Sequence, residues 1–260
     1  MRAFNGMTGY SRKERRGIMK CFSKTDIGLK RSENQDRVWT EMLEEDAVAV
    51  ILCDGMGGEN AGSVASEMTV EFMSDRIRKG FRGNINRNFI RNLLITSVTA
   101  ANSLVFDRAS KEADKFGMGT TCVAGIVYAG RAYIINVGDS RAYHIFDDSI
   151  QQITKDHTYV RKLIERGEIT EEESRIHPDR NRITRAVGAE REITPDYFEI
   201  DLENGHILLF SSDGLHAYGD DAEIAEIIVN NPISRSCDLL IDYALSNGGR
   251  DNVSVAVIEI

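Results

Sequence analysis

The order of its strand-like and helix-like segments predicts that this 260-residue chain folds as an α+β domain with a two-sheet core and helices outside. Strand-like runs come in two groups, and a pair of helix-like segments follows each group. A parallel doubly wound sheet would instead show a regular alternation of strands and helices. Short strands separated by tight turns favour antiparallel pairing.

The first group consists of a hairpin and two helices. Residues 38–53 are predicted to form two strands joined by the acidic turn at 44–46. Residues 61–79 and 88–112 carry apolar side chains at helical spacing, which predicts two long amphipathic helices. The apolar residues that define this spacing are Val64, Met68, Phe72, Ile77, Phe89, Leu93, Leu94, Val98, Ala101, Leu104 and Val105.

The second group begins with a dense series of strands that is predicted to be an antiparallel meander. These strands are expected at residues 120–128, 131–137, 141–146 and 150–153. Residues 156–187 are highly charged with sparse apolar positions, which is typical of a surface flap. The chain is predicted to end with strands at 196–200 and 206–212, helices at 221–230 and 233–246, and a strand at 253–260.

Length and composition favour one domain. The chain has three prolines and no Gly- and Ser-rich stretch that would serve as a linker. We expect a flexible basic N-terminal extension at residues 1–22 and a single domain at 23–260. Because the extension and the acidic body have opposite charge, a sharper hypothesis is that the extension folds back on the body or binds a partner. The net charge of −9 disfavours nucleic-acid binding, which depends mainly on clustered Lys and Arg.

The cysteines and the N-terminal residues indicate a cytoplasmic protein. The four cysteines are far apart, without CxxC spacing, and are expected to be reduced. The N-terminal residues lack the apolar core of a signal peptide, and the longest apolar run, residues 47–53, is too short to span a membrane. We expect a monomer that does not insert into membranes.

Five aspartates in short polar turns are the candidate metal ligands, namely Asp36, Asp54, Asp139, Asp213 and Asp251. Three of them adjoin predicted strands, so distant segments could bring their carboxylates into one cleft. Clustered carboxylates repel each other unless cations lie between them, and Mg²⁺ or Mn²⁺ takes such oxygen ligands. Each turn taken alone could be an ordinary Asp-Gly turn or a helix cap.

Six motifs, in order along the chain, resemble those of a known family. They are Arg31-Ser32-Glu33-Asn34-Gln35-Asp36, Asp54-Gly55-Met56-Gly57-Gly58, Gly117-Met118-Gly119-Thr120-Thr121, Asn136-Val137-Gly138-Asp139-Ser140-Arg141, Ser211-Ser212-Asp213-Gly214-Leu215 and Gly249-Arg250-Asp251-Asn252. This set resembles the type-two-C, metal-dependent serine/threonine protein phosphatases in their bacterial form, over roughly residues 23–260. The resemblance implies a four-layer αββα sandwich, in which two antiparallel sheets pack centrally and helices cover both outer faces.

The resemblance also implies a metal-ligand set. Asp54 would bridge two metal ions, and Asp213 and Asp251 would complete the first site. The Gly55 carbonyl would join the second site, because the glycines of this turn let the backbone approach an ion closely. Asp36 would support the second ion directly or through water.

Three further positions complete the implied site. Asp139, together with Asp213, would match the family's weaker third metal site. Arg31 would bind the substrate phosphate through a fork of charge-assisted hydrogen bonds, unless it is simply an exposed charge. Met56 stands where the eukaryotic branch has a histidine that can protonate the leaving oxygen. The general acid is therefore unassigned, and water on a metal is the expected proton source.

The predicted function is hydrolysis of phosphoserine and phosphothreonine in proteins by attack of a hydroxide that bridges two Mn²⁺ or Mg²⁺ ions. Arg31, Asp36 and Asp54 would be its catalytic residues. In the cell the enzyme would oppose a bacterial serine/threonine kinase, whose phosphorylated products would be its partners. One alternative is a catalytically silent phosphoprotein-binding domain of the same fold, and another is an enzyme that acts on small phosphomonoesters.

Overall fold

The computed structural model describes residues 18–58, 61–147 and 149–260, and these residues form two antiparallel sheets. The first sheet has the strand order β1 (Lys20–Asp26), β11 (Val253–Glu259), β10 (Ile207–Ser211), β7 (Arg141–Phe146) and β8 (Ser149–Gln152). The second has the order β2 (Asp36–Glu44), β3 (Ala47–Met56), β5 (Cys122–Tyr128), β6 (Arg131–Val137) and β9 (Asp196–Asp201), with the short β4 (Gly119–Thr120) paired to β3.

Helices cover the outer face of each sheet and form the flap. The α-helices are α1 (Ala61–Gly80), α2 (Arg87–Lys111), α3 (Tyr159–Glu165), α4 (Glu171–Ile176), α5 (Asp213–His216), α6 (Asp221–Val229) and α7 (Ile233–Ser246). A short 3-10 helix at Ala113–Lys115 follows α2. The predicted positions of both helix pairs agree with this order to within a few residues at each end, and α3 and α4 lie within the predicted flap.

Three apolar clusters separate four layers. Alternate residues of β3 point to opposite faces, so Val50 and Leu52 pack against Phe210 of the other sheet, whereas Ile51 packs with the apolar residues of α1 and α2. The third cluster lies between the first sheet and helices α5, α6 and α7. Because β3 is buried on both faces, its sequence is a continuous apolar run instead of an alternating one. The predicted four-layer αββα sandwich is confirmed.

The predicted meander is wrong at one point, between β6 and β7. These two strands lie in different sheets, and the chain crosses from one sheet to the other at Gly138. Gly138 has a φ of 109°, and a Cβ there would lie 2.6 Å from the Thr121 side chain, so the crossover requires glycine. The crossover places Asp139 at the end of the sandwich where β3 and β10 also end.

The predicted faces of the two long helices also need correction. The buried side of α1 carries small residues such as Ala65 and Ser66, whereas Val64 is only half-buried. In α2, Phe89 is 45% exposed and Leu104 is 44% exposed. Small residues let α1 approach β3 closely, and this close approach outweighs the simple apolar periodicity of the sequence.

One helix meets a criterion for membrane spans. Among the described helices, α2 alone is long and apolar enough to cross a membrane, judged by length and composition. Its buried residues Leu94 and Val98 belong to the cluster that packs on the six-stranded sheet. A core helix of a globular domain has the same composition.

The boundary of the predicted N-terminal extension lies too late in the sequence. Lys20–Asp26 forms β1 and pairs with β11 along its whole length, so residues 20–22 belong to the sheet. Met19 is buried in the core between the two sheets. The polar residues Ser23 and Lys24 made this edge strand inconspicuous in the sequence. Residues 1–17 lie outside the described residues, and the flexibility of the extension stays a prediction.

Candidate functional site

The strand ends gather most of the predicted site residues in one cleft at the end of the sandwich. The predicted residues that line this cleft are Arg31, Asp54, Gly55, Asp139, Asp213 and Asp251. Asp36 is the exception, because its side chain is only 1% exposed and lies behind the cleft. It is paired with Asp54 in the ladder between β2 and β3. The structure therefore brings six of the predicted site residues to one cleft and buries the seventh, Asp36, behind it, while their roles stay predictions.

The backbone around Asp54 is held by two threonines. The amide of Asp54 donates to Thr121 Oγ1 over 2.9 Å, and its carbonyl accepts from Thr120 Oγ1 and from the Thr121 amide, each over 2.8 Å. The next residue, Gly55, lies so close to the start of α1 that a Cβ would be 2.2 Å from the Gly62 carbonyl oxygen. Glycine is therefore required at this position by the close approach of strand and helix.

Asn252 connects the Arg31 segment to the start of β11. Its Nδ2 donates to the carbonyls of Ile27 and Glu33, each over 2.9 Å, and its Oδ1 accepts from the Gln35 amide over 2.9 Å. Sequence reasoning gave Asn252 no role, although it stands in one of the six motifs. Its three bonds fix the position of Arg31 relative to Asp251.

His157 holds the turn that carries Asp139. Its Nδ1 accepts from the Gly138 amide over 3.0 Å, and its own amide donates to the Gly138 carbonyl over 2.9 Å. On the other side of the ring, Nε2 lies 3.2 Å from Asp196 Oδ2. Burial lowers the pKa of His157, although Asp196 opposes the shift. In the sequence, His157 is one residue of the charged segment 156–187 and carries no signal for this role.

Within the described residues, four acidic side chains of the site form no ion pair, namely Asp36, Asp54, Asp139 and Asp213, whereas Asp251 is paired with Arg31. Burial, reinforced by the neighbouring carboxylates, raises the pKa of Asp36 to about 7 and that of Asp213 to about 6. The pKa values of Asp54 and Asp139 are raised well above the ordinary value for the same reasons. Such a group of carboxyls either takes up protons or binds cations.

Unpaired oxygens show that the donor set fits a hard divalent cation. Within the described residues, the buried Oδ1 atoms of Asp36 and Asp213 have no hydrogen-bond partner. Buried polar atoms are rarely left unpaired, and carboxylate oxygens are the ligands that Mg²⁺ and Mn²⁺ prefer. In the present side-chain arrangement, no three acidic, imidazole or thiol groups of the described residues are grouped so that they could hold one ion.

The Arg31 side chain forms an ion pair with one of the candidate metal ligands, Asp251. Its Nη2 donates to Asp251 Oδ2 over 2.7 Å, and its side chain is 55% exposed. The predicted phosphate-binding group is thus paired with a predicted metal-binding group. Met56 also lines the cleft, and no histidine is found among the described residues that line it. The general acid stays unassigned.

Comparisons with known proteins agree with this arrangement. A family model described as protein phosphatase 2C matches residues 30–235. The serine/threonine phosphatase stp of Listeria innocua is 36% identical over 237 residues, which cover 91% of this chain and 94% of that protein.

Two solved structures show the same fold. The serine/threonine phosphatase of S. agalactiae superposes with a TM-score of 0.87 at 32% identity, covering 93% of this chain and 99% of that one. The catalytic domain of the phosphatase PstP, in complex with two manganese ions, superposes with a TM-score of 0.81 at 33% identity, covering 93% and 98%. The chain therefore belongs to the protein phosphatase 2C family, among its bacterial serine/threonine phosphatases.

Proposed function

We propose that this protein removes phosphate from phosphoserine and phosphothreonine in proteins, with Mn²⁺ or Mg²⁺ held in the acidic cleft, and that it opposes a bacterial serine/threonine kinase. The observation that carries the proposal is the convergence of Asp54, Asp139, Asp213 and Asp251 from distant segments onto one cleft. Membership of the phosphatase family supports the reaction. The kinase is inferred from the family resemblance.

The proposed metal ligands follow from the positions of the carboxylates. Asp54 would be shared between two ions, Asp213 and Asp251 would complete the first site, and Gly55 and Asp36 would contribute to the second. The two manganese ions bound to the PstP catalytic domain support this number. When bound, the ions would activate water for attack and offset the negative charge of the phosphoryl group.

The remaining residues have positioning roles in this proposal. Thr120 and Thr121 fix the backbone of Asp54, and Asn252 fixes the segment that carries Arg31. Arg31 would bind the phosphoryl oxygens, since its planar fork matches their geometry. Asp139 would hold a third, weaker ion with most of its coordination completed by water. His157 would keep that carboxylate in the cleft through the Gly138 backbone.

The decisive experiment compares turnover of a phosphothreonine peptide with Mn²⁺ and with excess EDTA. Asp54→Asn and Asp213→Asn should each lower kcat by at least ~10³, because a catalytic metal contributes several kcal/mol. Asp107→Asn is the matched control, since this carboxylate is exposed on α2. Full turnover in EDTA would contradict the proposal and favour a silent phosphoprotein-binding domain.

A further inference from the structure

The ion pair between Arg31 and Asp251 joins two residues that the proposed function uses separately. Arg31 Nη2 and Asp251 Oδ2 are 2.7 Å apart. The backbone brings the two segments close together. Leu29 donates its amide to the Gly249 carbonyl over 2.7 Å, and a Cβ on Gly28 would lie 2.2 Å from the Asp251 carbonyl oxygen. The side chains of Arg31 and Asp251 therefore start from neighbouring backbone positions.

Asp251 differs from the other carboxylates of the cleft. Its Oδ1 accepts from the Asn252 amide over 2.9 Å, and its Oδ2 accepts from Arg31, so both oxygens are hydrogen-bonded. By contrast, Asp36 and Asp213 each keep a buried oxygen without a partner within the described part of the chain. The Arg31 guanidinium thus supplies a positive charge at Asp251.

The N–H of Arg31 that binds Asp251 cannot bind a substrate phosphate at the same time. The ion pair engages Nη2, so this donor is lost to a bidentate phosphate contact while the pair is closed, and the pair also holds the side chain at Asp251. An ion bound by Asp251 would compete directly with Arg31 for Oδ2. It would also repel the arginine, because both are cations.

We propose that Arg31 and the first metal ion compete for Asp251, so that metal binding releases Arg31 to bind the substrate phosphate. The inference rests on the proposed function, because it needs a metal site that includes Asp251. Two consequences follow. The metal binds before the phosphate, and by thermodynamic linkage each strengthens the binding of the other by the same factor.

Metal binding without substrate tests the competition. Removing Arg31 should make the first site bind Mn²⁺ more tightly, although it removes a residue of the site. Exposed ion pairs are weak, so we expect a gain of about 2- to 5-fold for Arg31→Ala in isothermal titration calorimetry. Lys30→Ala is the matched control, because it removes a neighbouring exposed charge that makes no ion pair with the described residues. Its affinity should change by less than about 2-fold.

A second variant separates competition from a general effect of charge. Arg31→Lys keeps the charge but loses the fork, so its Mn²⁺ affinity should lie between those of the wild type and Arg31→Ala. Circular dichroism would verify that each variant is folded. Equal or weaker Mn²⁺ binding by both Arg31 variants would overturn the inference. If the wild type binds no Mn²⁺ at all, the proposed function fails as well, whereas metal-dependent turnover with unchanged affinities would overturn the competition alone.

Discussion

Two buried carboxylates, Asp156 and Asp139, lie near each other in this structure, but their pKa values shift in opposite directions. Asp156 is almost completely buried, but Arg141 binds it through two bonds, from Nε to Oδ1 over 3.0 Å and from Nη2 to Oδ2 over 2.7 Å. Burial alone would raise the pKa of Asp156, but Arg141 holds it below the ordinary value. Within the described residues, the nearby Asp139 forms no ion pair with a basic side chain, and burial raises its pKa well above the ordinary value.

The difference shows that burial of a carboxylate does not by itself identify a site. Asp156 is paired with Arg141, whereas Asp54, Asp139 and Asp213 of the cleft form no ion pair within the described residues. Arg131 provides a further example of compensation at the surface, where it pairs with Glu199 and Asp201. A missing counter-charge is therefore the feature that distinguishes the cleft from the other acidic regions.

The largest expected contrast is in the stability of the metal-free protein. Asp156→Asn should lower the free energy of unfolding by about 3–5 kcal/mol, because it leaves Arg141 buried without its partner. Asp54→Asn should instead leave this free energy unchanged or raise it, since it removes an uncompensated charge. Urea denaturation in EDTA measures both. A loss of similar size in the two variants would show that the cleft is already compensated.

A pH series sharpens the same comparison. The pKa of Asp213 is about 6 in the metal-free fold, against about 3.9 in an unfolded chain. The folded state therefore binds this proton more tightly, and the stabilisation is complete below about pH 4 and lost as the pH rises through 6. Asp213→Asn removes this pH dependence, so its free energy of unfolding relative to the wild type should rise from about pH 4 to about pH 6, by at most about 1.4 kcal/mol per pH unit, and should level off above about pH 7.

The difference in free energy of unfolding between the wild type and Asp213→Asn does not contain the contribution of the histidines to the pH dependence. The pKa of His157 is lowered by burial, so this residue contributes a stability that is lost as the pH falls below its ordinary value. Both proteins share that contribution. Urea denaturation in EDTA at pH 5, 6.5 and 8 would measure the difference, which should rise mainly between the first two values. Saturating Mn²⁺ should remove the part of the wild-type pH dependence that comes from Asp213, while the part from His157 stays. A difference that stays constant across this range would refute the assignment.

The smallest expected effect concerns Asp139. Asp139→Ala should leave the fold and the two tight metal sites intact, because this carboxylate is proposed to hold only the weak third ion. The turnover rate should fall by at least ~10-fold, about 1.4 kcal/mol, and should require more metal. A Mn²⁺ titration followed by calorimetry and by phosphatase rate tests this. A wild-type rate across the titration would reduce Asp139 to a residue of the crossover turn.

Sequence patterns predicted the elements of this fold better than their mutual packing. The hairpin of β2 and β3 and the helices α1 and α2 follow from local periodicity, which requires no knowledge of distant residues. The crossover at Gly138 and the pairing of β1 with β11 depend on segments far apart in the sequence. No local pattern records which sheet a strand joins, so the meander and the domain boundary were predicted wrongly.

In the site, too, local features were predictable from the sequence, whereas contacts between distant segments were not. The six motifs identified the candidate ligands, because each is a turn with a recognisable composition. They did not reveal that Asp36 lies behind the cleft, that His157 holds the Gly138 turn, or that Arg31 is paired with Asp251. These are contacts between distant segments, and their geometry is set only when the two sheets pack.

Mn²⁺ binding to the cleft variants tests the central claim, that the uncompensated carboxylates form the metal site. Calorimetry on the wild type should show two tight ions, and Asp54→Asn should lose at least one of them because its carboxylate is proposed to be shared. The control Asp107→Asn, altered at an exposed carboxylate of α2, should bind like the wild type. If Asp54→Asn bound two Mn²⁺ ions with wild-type affinity, the cleft carboxylates would not be the metal site.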